Sequence, residues 1–130
     1  MEPTFVAGPE LAGVTQELMR REPFFHRPEF GCTRADFEKM TALEFWEVGA
    51  SGRRYSRPFV LDTLEQRYEA PFSDTWEIQD FHCTALCADT FLVTYSLIQR
   101  ERTSRRSTIW KRFPDSWKII YHQGTLCPTE

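Results

Sequence analysis

The chain has 130 residues, 41% of them hydrophobic, 27% charged and 15% aromatic. That balance suits one globular domain and excludes a disordered or collagen-like polymer. A formal net charge of -3 supplies no general attraction for nucleic acid or an anionic membrane, so neither is expected as a partner. No run of about 18 apolar residues is available to span a bilayer. The first residues lack a basic stretch followed by an apolar one, so a cytoplasmic location is expected. Cys32, Cys83, Cys87 and Cys127 form no CxxC pair and are expected to be reduced.

Residues 1–8 read as a loose arm, followed by a single domain over residues 9–126. From Pro9 to Glu22, Leu11, Val14 and Leu18 recur at helical spacing, and Pro23 stops that helix. Thr33-Arg-Ala-Asp36 is a capping-box-like start in which Asp36 stands where Glu is usual. It opens a short helix to about Thr41 that buries Phe37 and Met40. Glu44 to Ala50 is strand-like, and Ser51-Gly52-Arg53 is a turn in which Gly52 supplies a positive φ. Ser56 caps a third helix with Pro58 in its first turn, Val60, Leu61, Leu64 and Tyr68 on one face, and Pro71 at its end. The rest alternates as strands over 76–87, 91–101, 106–113 and 117–125 with short connections, which predicts an antiparallel meander. The apolar phase slips between Ile78 and Phe81, and that predicts a bulge near Asp80.

Which sheet face is buried depends on hairpin register. Pairing Phe113 with Trp117, Ile109 with Tyr121 and Leu97 with Ile109 gives an inner face of Phe91, Val93, Tyr95, Leu97, Ile109, Phe113, Trp117, Ile119 and Tyr121. The opposite face then carries Ile98, Trp110, Ile120, Thr108, His122, Arg112 and Lys118. A register one residue different would bring Arg112 and Lys118 indoors, at a cost of several kcal/mol for each unpaired charge. On this reading Lys111 is an inward-facing cation opposite Glu47. Arg100, Arg102, Arg105 and Arg106 form a solvated turn that guards the sheet edge.

Phe45, Glu47, Gly49, Ser51, Gly52, Arg53 and Tyr55 make the pattern F-x-E-x-G-x-S-G-R-x-Y. Thr94, Tyr95 and Leu97 make T-Y-x-L, and Ser107, Trp110 and Arg112 make S-x-x-W-x-R. The chain closes on W-x-I-x-x-H-Q-G-T from Trp117 to Thr125. These patterns resemble the nuclear transport factor 2-like superfamily, which includes SnoaL-like cyclases and ketosteroid isomerases, and within it a small subgroup of unknown function with this terminal motif. The resemblance implies an α+β fold: a strongly curved, cone-shaped antiparallel sheet wrapped around three helices, a cystatin-like roll with a cavity at its open end. It also implies a homodimer through the outer sheet face, where the register places Ile98, Trp110 and Ile120.

Three functions compete. The first is binding of a small apolar or carbonyl-bearing molecule in an aromatic-lined pocket, with Tyr55, Tyr95, Lys111, Tyr121 and Gln123 as contacts. The second is a cofactor-free isomerase, cyclase or lyase with Glu47 as base, or His122 in its place, and a tyrosine hydroxyl on the developing oxyanion. The third is a non-catalytic assembly domain. No cofactor is expected, because the glycines form no phosphate-cradling loop. No metal is expected either: Cys83 and Cys87 would stand about 13 Å apart along a strand, too far to share one zinc ion.

Overall fold

A computed structural model describes residues 1–70, 75–100 and 102–128. Pro71 and Glu101 lie outside the described residues. Helix α1 spans Ala12–Arg21 behind a single 3-10 turn at Pro9–Leu11, α2 spans Arg34–Met40 and α3 spans Arg57–Arg67. The strands are β1 (Thr41–Val48), β2 (Arg54–Ser56), β3 (Glu77–Cys87), β4 (Thr90–Gln99), β5 (Arg102–Phe113) and β6 (Ser116–Leu126).

Local chemistry sets the helix starts. Thr33 and Asp36 exchange reciprocal bonds in a capping box that opens α2, satisfying donors a helix leaves unpaired at its first turn. The Ser56 hydroxyl accepts from Phe59 N at 3.3 Å and opens α3. Gly52 turns β1 into β2 with φ +89°, a conformation that costs glycine little.

The six strands form one curved sheet in the order β2-β1-β6-β5-β4-β3. All neighbours are antiparallel except β1 and β6, which run parallel. This is the α+β roll expected from the sequence. The predicted bulge is present: Asp80 has φ +57° and the β3–β4 register shifts between Gln79 and His82. The helices cover the concave face and bury Leu18, Phe37, Leu61 and Leu64 against Val93, Trp110 and Ile119. On the convex face the N-terminal arm lays Phe5 over His82, ring centroids 4.9 Å apart.

The register of β5 differs from the expectation, and the consequences are large. The β4–β5 hairpin closes tightly, with Gln99 opposite Arg102, Tyr95 opposite Arg106 and Phe91 opposite Trp110. A turn placed near Thr103–Arg105 instead pairs Leu97 with Ile109 and inverts every side chain of β5. The concave face of β5 therefore carries Ser104, Arg106, Thr108 and Trp110, and Trp110 is 0% exposed. On β6, Ile109 does face Tyr121 and Thr108 does face His122, but a bulge follows. Beyond it Trp110 pairs with Ile119 and Arg112 with Trp117. The bulge switches the inward positions of β6 from Trp117 and Ile119 to His122 and Gly124. The charge penalty that opposed this register is avoided at the ends of the strand. Arg112 is exposed and stacks over Phe91 and Trp117 at 5.3 and 5.7 Å.

Trp110 is thus a core residue, and the outer patch of Ile98, Trp110 and Ile120 does not form. The convex face instead carries a row across four strands: Trp46 opposite Tyr121, Tyr121 opposite Ile109, and Ile109 opposite Leu92. Replacing Trp110 by Ala should cost about 3–5 kcal/mol, as large core truncations do. Ile120→Ser should cost about 1 kcal/mol or less. Urea unfolding checks both, and equal losses would contradict the observed face assignment.

Candidate functional site

Glu22 is the polar centre of the concave face. Proline at position 23 ends α1, and the chain turns so that the Glu22 side chain enters the core, 1% exposed. Tyr95 OH donates to its Oε1 at 2.8 Å, Trp110 Nε1–H to its Oε2 at 3.0 Å and Phe24 N–H to Oε1 at 3.3 Å. The Thr108 hydroxyl is a fourth partner. Burial raises the Glu22 carboxyl above its usual range, opposed by the bonds from Thr108, Tyr95, Trp110 and Phe24. Burial and the adjacent Glu22 push the Tyr95 hydroxyl well above its ordinary value, so it stays a phenol.

The network continues outward. Thr108 Oγ1 lies 2.8 Å from His122 Nδ1, and His122 Nε2 lies 3.4 Å from Arg106 Nη1. A guanidinium can only donate, so Nε2 is the lone-pair nitrogen and Nδ1 carries the proton. Nδ1–H then donates to Thr108, whose own hydroxyl proton is free for Glu22. Every bond from Arg106 through His122 and Thr108 to Glu22 points the same way. Burial, with the charges of Arg106 and His26, pulls the His122 pKa down to about 3, and the ring is neutral at physiological pH.

Beside this network opens a cavity of about 340 Å³, near the lower end of the range for small-molecule sites. Phe24, Phe25, Tyr55, Phe59, Val60 and Leu64 form its apolar wall, and Glu22, Tyr95, His122, Glu47, Arg67, Arg102 and Arg106 its polar one. Glu47 projects from the concave side of β1, half-buried, and makes no hydrogen bond or ion pair among the described residues. Burial raises its carboxyl above the usual range, with Arg106 and Arg67 pulling the other way. Arg106 is fixed by donating from Nε to Ser104 Oγ at 2.9 Å as well as by its contact with His122. Gly124 is its cross-strand partner. A methyl at Gly124 would sit 3.3 Å from the guanidinium carbon, tighter than ordinary contact.

Of the residues singled out from the sequence, Glu47, His122, Tyr55 and Tyr95 meet at this cavity. His122 was expected on the outer face; the β6 bulge turns it inward. Lys111, Tyr121 and Gln123 do not line it. Lys111 pairs with Lys118 on the convex side, while Tyr121 packs on Trp46 and donates to Gln123 Oε1 at 2.7 Å. The facing of Lys111 and Glu47 is therefore corrected, because the tight hairpin reverses β5. Glu22, Arg67, Arg102 and Arg106 were not anticipated as site residues. Tyr95 and Trp110 each needed a buried hydrogen-bond partner, and that requirement was the available signal for Glu22. A second hollow of about 550 Å³ lies between the N-terminal arm and the convex face. Glu47 and His122 line the first cavity and not this one.

Solved structures share this architecture. One is a protein of unknown function from Pseudomonas aeruginosa, described as nuclear transport factor 2-like. It matches with a TM-score of 0.70 at 15% identity, over 90% of this chain and 100% of its own. The chain has the nuclear transport factor 2-like fold. A protein from Parabacteroides distasonis, provisionally named a ketosteroid isomerase, matches at 0.68 and 12% identity over 93% of this chain and 94% of its own. A third, from Exiguobacterium sibiricum and provisionally named a calcium/calmodulin-dependent kinase II association domain, matches at 0.66 and 15% identity over 100% and 99%. No family model matches the sequence, and a search of curated proteins found no match. Among the described residues no group of three or more His, Cys, Asp or Glu is placed to hold a metal ion. No helix there is long and apolar enough to cross a membrane.

The bond directions make a spectroscopic prediction. Imidazole nitrogen shifts of His122 should report a neutral ring protonated at Nδ1 from pH 8 down to pH 5; an imidazolium at pH 6 would contradict the network. The native pKa lies below the unfolded value of 6.5, so the unfolded chain gains this proton first as pH falls. His122 thus contributes stability present above pH 6.5 and lost progressively toward about pH 3. Replacing it by Asn should flatten that acid limb in denaturation profiles.

Proposed function

We propose that this chain binds a small organic molecule in the cavity between α3, β1 and the β4–β6 strands. The observation that carries the reading is Glu47: a half-buried carboxylate without a bonded partner among the described residues, facing an open, aromatic-walled space. A hydrophobic pocket with a few convergent polar groups is the common form of a ligand site. A cone packed solid would have suited a purely structural assembly role, and this one is hollow. The working unit is residues 9–126, and four free cysteines suit a reducing cytoplasm.

A second reading, cofactor-free acid–base catalysis, is favoured by the state of the same residue. A carboxylate whose pKa is raised by burial is a stronger base than one in water. Glu47 would remove a proton beside a ligand carbonyl, and the Tyr55 hydroxyl would donate to the developing oxyanion. Support for this chemistry comes from the Parabacteroides neighbour's name only as an analogy of fold.

Chemical-shift mapping with a fragment set of small ketones and acids should perturb Glu47, Tyr55 and His122 together. Perturbation confined to Trp46 and Tyr121 would move the site elsewhere. If Glu47 is a base, the protein should speed deuterium exchange at the carbon beside the carbonyl of a bound ketone. Glu47→Gln should slow that exchange by about 100-fold or more, while leaving the circular dichroism spectrum unchanged.

A homodimer through the convex face belongs to the same proposal. Its support is the row of Trp46, which is 43% exposed, with half-buried Tyr121, Ile109 and Leu92. Apolar rows of this kind on a sheet mark contact surfaces. Ile109→Glu should halve the sedimenting mass; an unchanged mass would place the interface elsewhere or exclude it.

A further inference from the structure

We infer that the ligand of this cavity is a small monocarboxylate with an apolar or single-ring body, its carboxylate held by Arg106 with Arg67 and Arg102 at the rim. This deepens the ligand-binding reading above and rests on it.

The charge balance comes first. The cavity wall carries three guanidinium groups, Arg67, Arg102 and Arg106, against two carboxyl groups, Glu22 and Glu47. The wall therefore has an excess of one positive charge even with both carboxylates ionised, in a chain whose net charge is -3. Glu22 spends its charge inward, on Tyr95, Trp110, Thr108 and Phe24. None of the three arginines makes an ion pair among the described residues. By contrast Arg20, Arg21, Arg27, Arg34 and Arg105 all do. Other arginines without an ion pair among the described residues, such as Arg57 and Arg112, do not line the hollow.

Arg106 is also built in rather than dangling. It is half-buried, its Nε is tied to Ser104 and its Nη1 to His122, and Gly124 leaves the space that it occupies. A guanidinium has five N–H donors in a rigid fork, so two anchors leave donors for a carboxylate, the partner that its planar geometry fits best. Holding the group in place beforehand lowers the ordering cost of binding. The rest of the wall, with Phe24, Phe25, Tyr55 and Phe59, suits a compact apolar body. A phosphate would bring more negative charge than the excess on the wall, and no glycine-rich backbone cradle is present for one.

The experiment uses matched probes on the full chain: phenylacetate, its neutral analogue phenylacetamide, and phenyl phosphate, each titrated by protein-observed NMR at 50 and 300 mM salt. Phenylacetate should bind at least tenfold more tightly than phenylacetamide and weaken at high salt. Arg106→Gln should remove that preference, and the rim double variant Arg67→Ala/Arg102→Ala, at exposed positions, should reduce it severalfold. Equal affinity for acid and amide, tighter binding of phenyl phosphate, or a preference that survives in both variants would overturn the inference. If the amide binds as well as the acid and perturbs Glu47, the ligand-binding reading stands and only the anion assignment falls. If neither perturbs any cavity residue, both fall. Should Arg106→Gln fail to fold, the rim variant and the salt dependence still decide.

Discussion

The concave side of this protein depends on one carboxylate taken out of water. Glu22 sits where α1 meets the sheet, and its four donors come from the loop after α1, from β4 and from two positions of β5. An unpaired buried carboxylate would cost many kcal/mol, but one that accepts several hydrogen bonds repays most of that penalty. The bonds also have direction, and this fixes the arrangement of side chains around them. Tyr95 must stay protonated, Trp110 must point its ring nitrogen inward, and Thr108 must take its remaining bond from His122. A half-satisfied version of such a network would be worse than an apolar core, so these residues must act together.

That constraint explains why the cavity is lined as it is. The network occupies the floor and orients Arg106 through His122, so the positive charge is presented sideways along β5. Glu47 lies on the neighbouring strand, opposite His122 in the β1–β6 register, outside the network and without its donors. The two carboxylates therefore differ on physical grounds: Glu22 is held by four donors, and Glu47 makes no hydrogen bond or ion pair among the described residues.

Much of the fold was legible in the residues. Pro23 and the Thr33–Asp36 box bounded helices by backbone chemistry that does not depend on distant packing, and the phase slip near Asp80 marked a real bulge. The inward course of β4 followed from simple alternation. What failed was β5, because its facing depends on where a two-residue turn closes, and Arg100 to Ser107 offers polar residues throughout with no glycine or proline to mark the place. The expectation that charge stays outside then favoured the wrong parity. Arg106 and Arg112 lie on the concave side at positions where bonds or aromatic faces receive them. The site was half legible for the same reason: Glu47 and Tyr55 lie on strands read correctly, whereas Lys111, Tyr121 and Gln123 were placed through β5. Glu22 looked like the charged end of a surface helix, and only its long-range partners on β4 and β5 reveal otherwise.

The missing side chain at Gly124 has a bearing on how this hollow could change over evolutionary time. A single methyl there would crowd the guanidinium of Arg106 against its anchors at Ser104 and His122, shifting a cavity cation tied at two points. Electrostatic preference in the pocket could therefore be retuned by a substitution that adds no charge and touches no ligand. The His-Gln-Gly-Thr ending would then owe its glycine to the space required by a neighbour's side chain, rather than to any need for an unusual backbone angle.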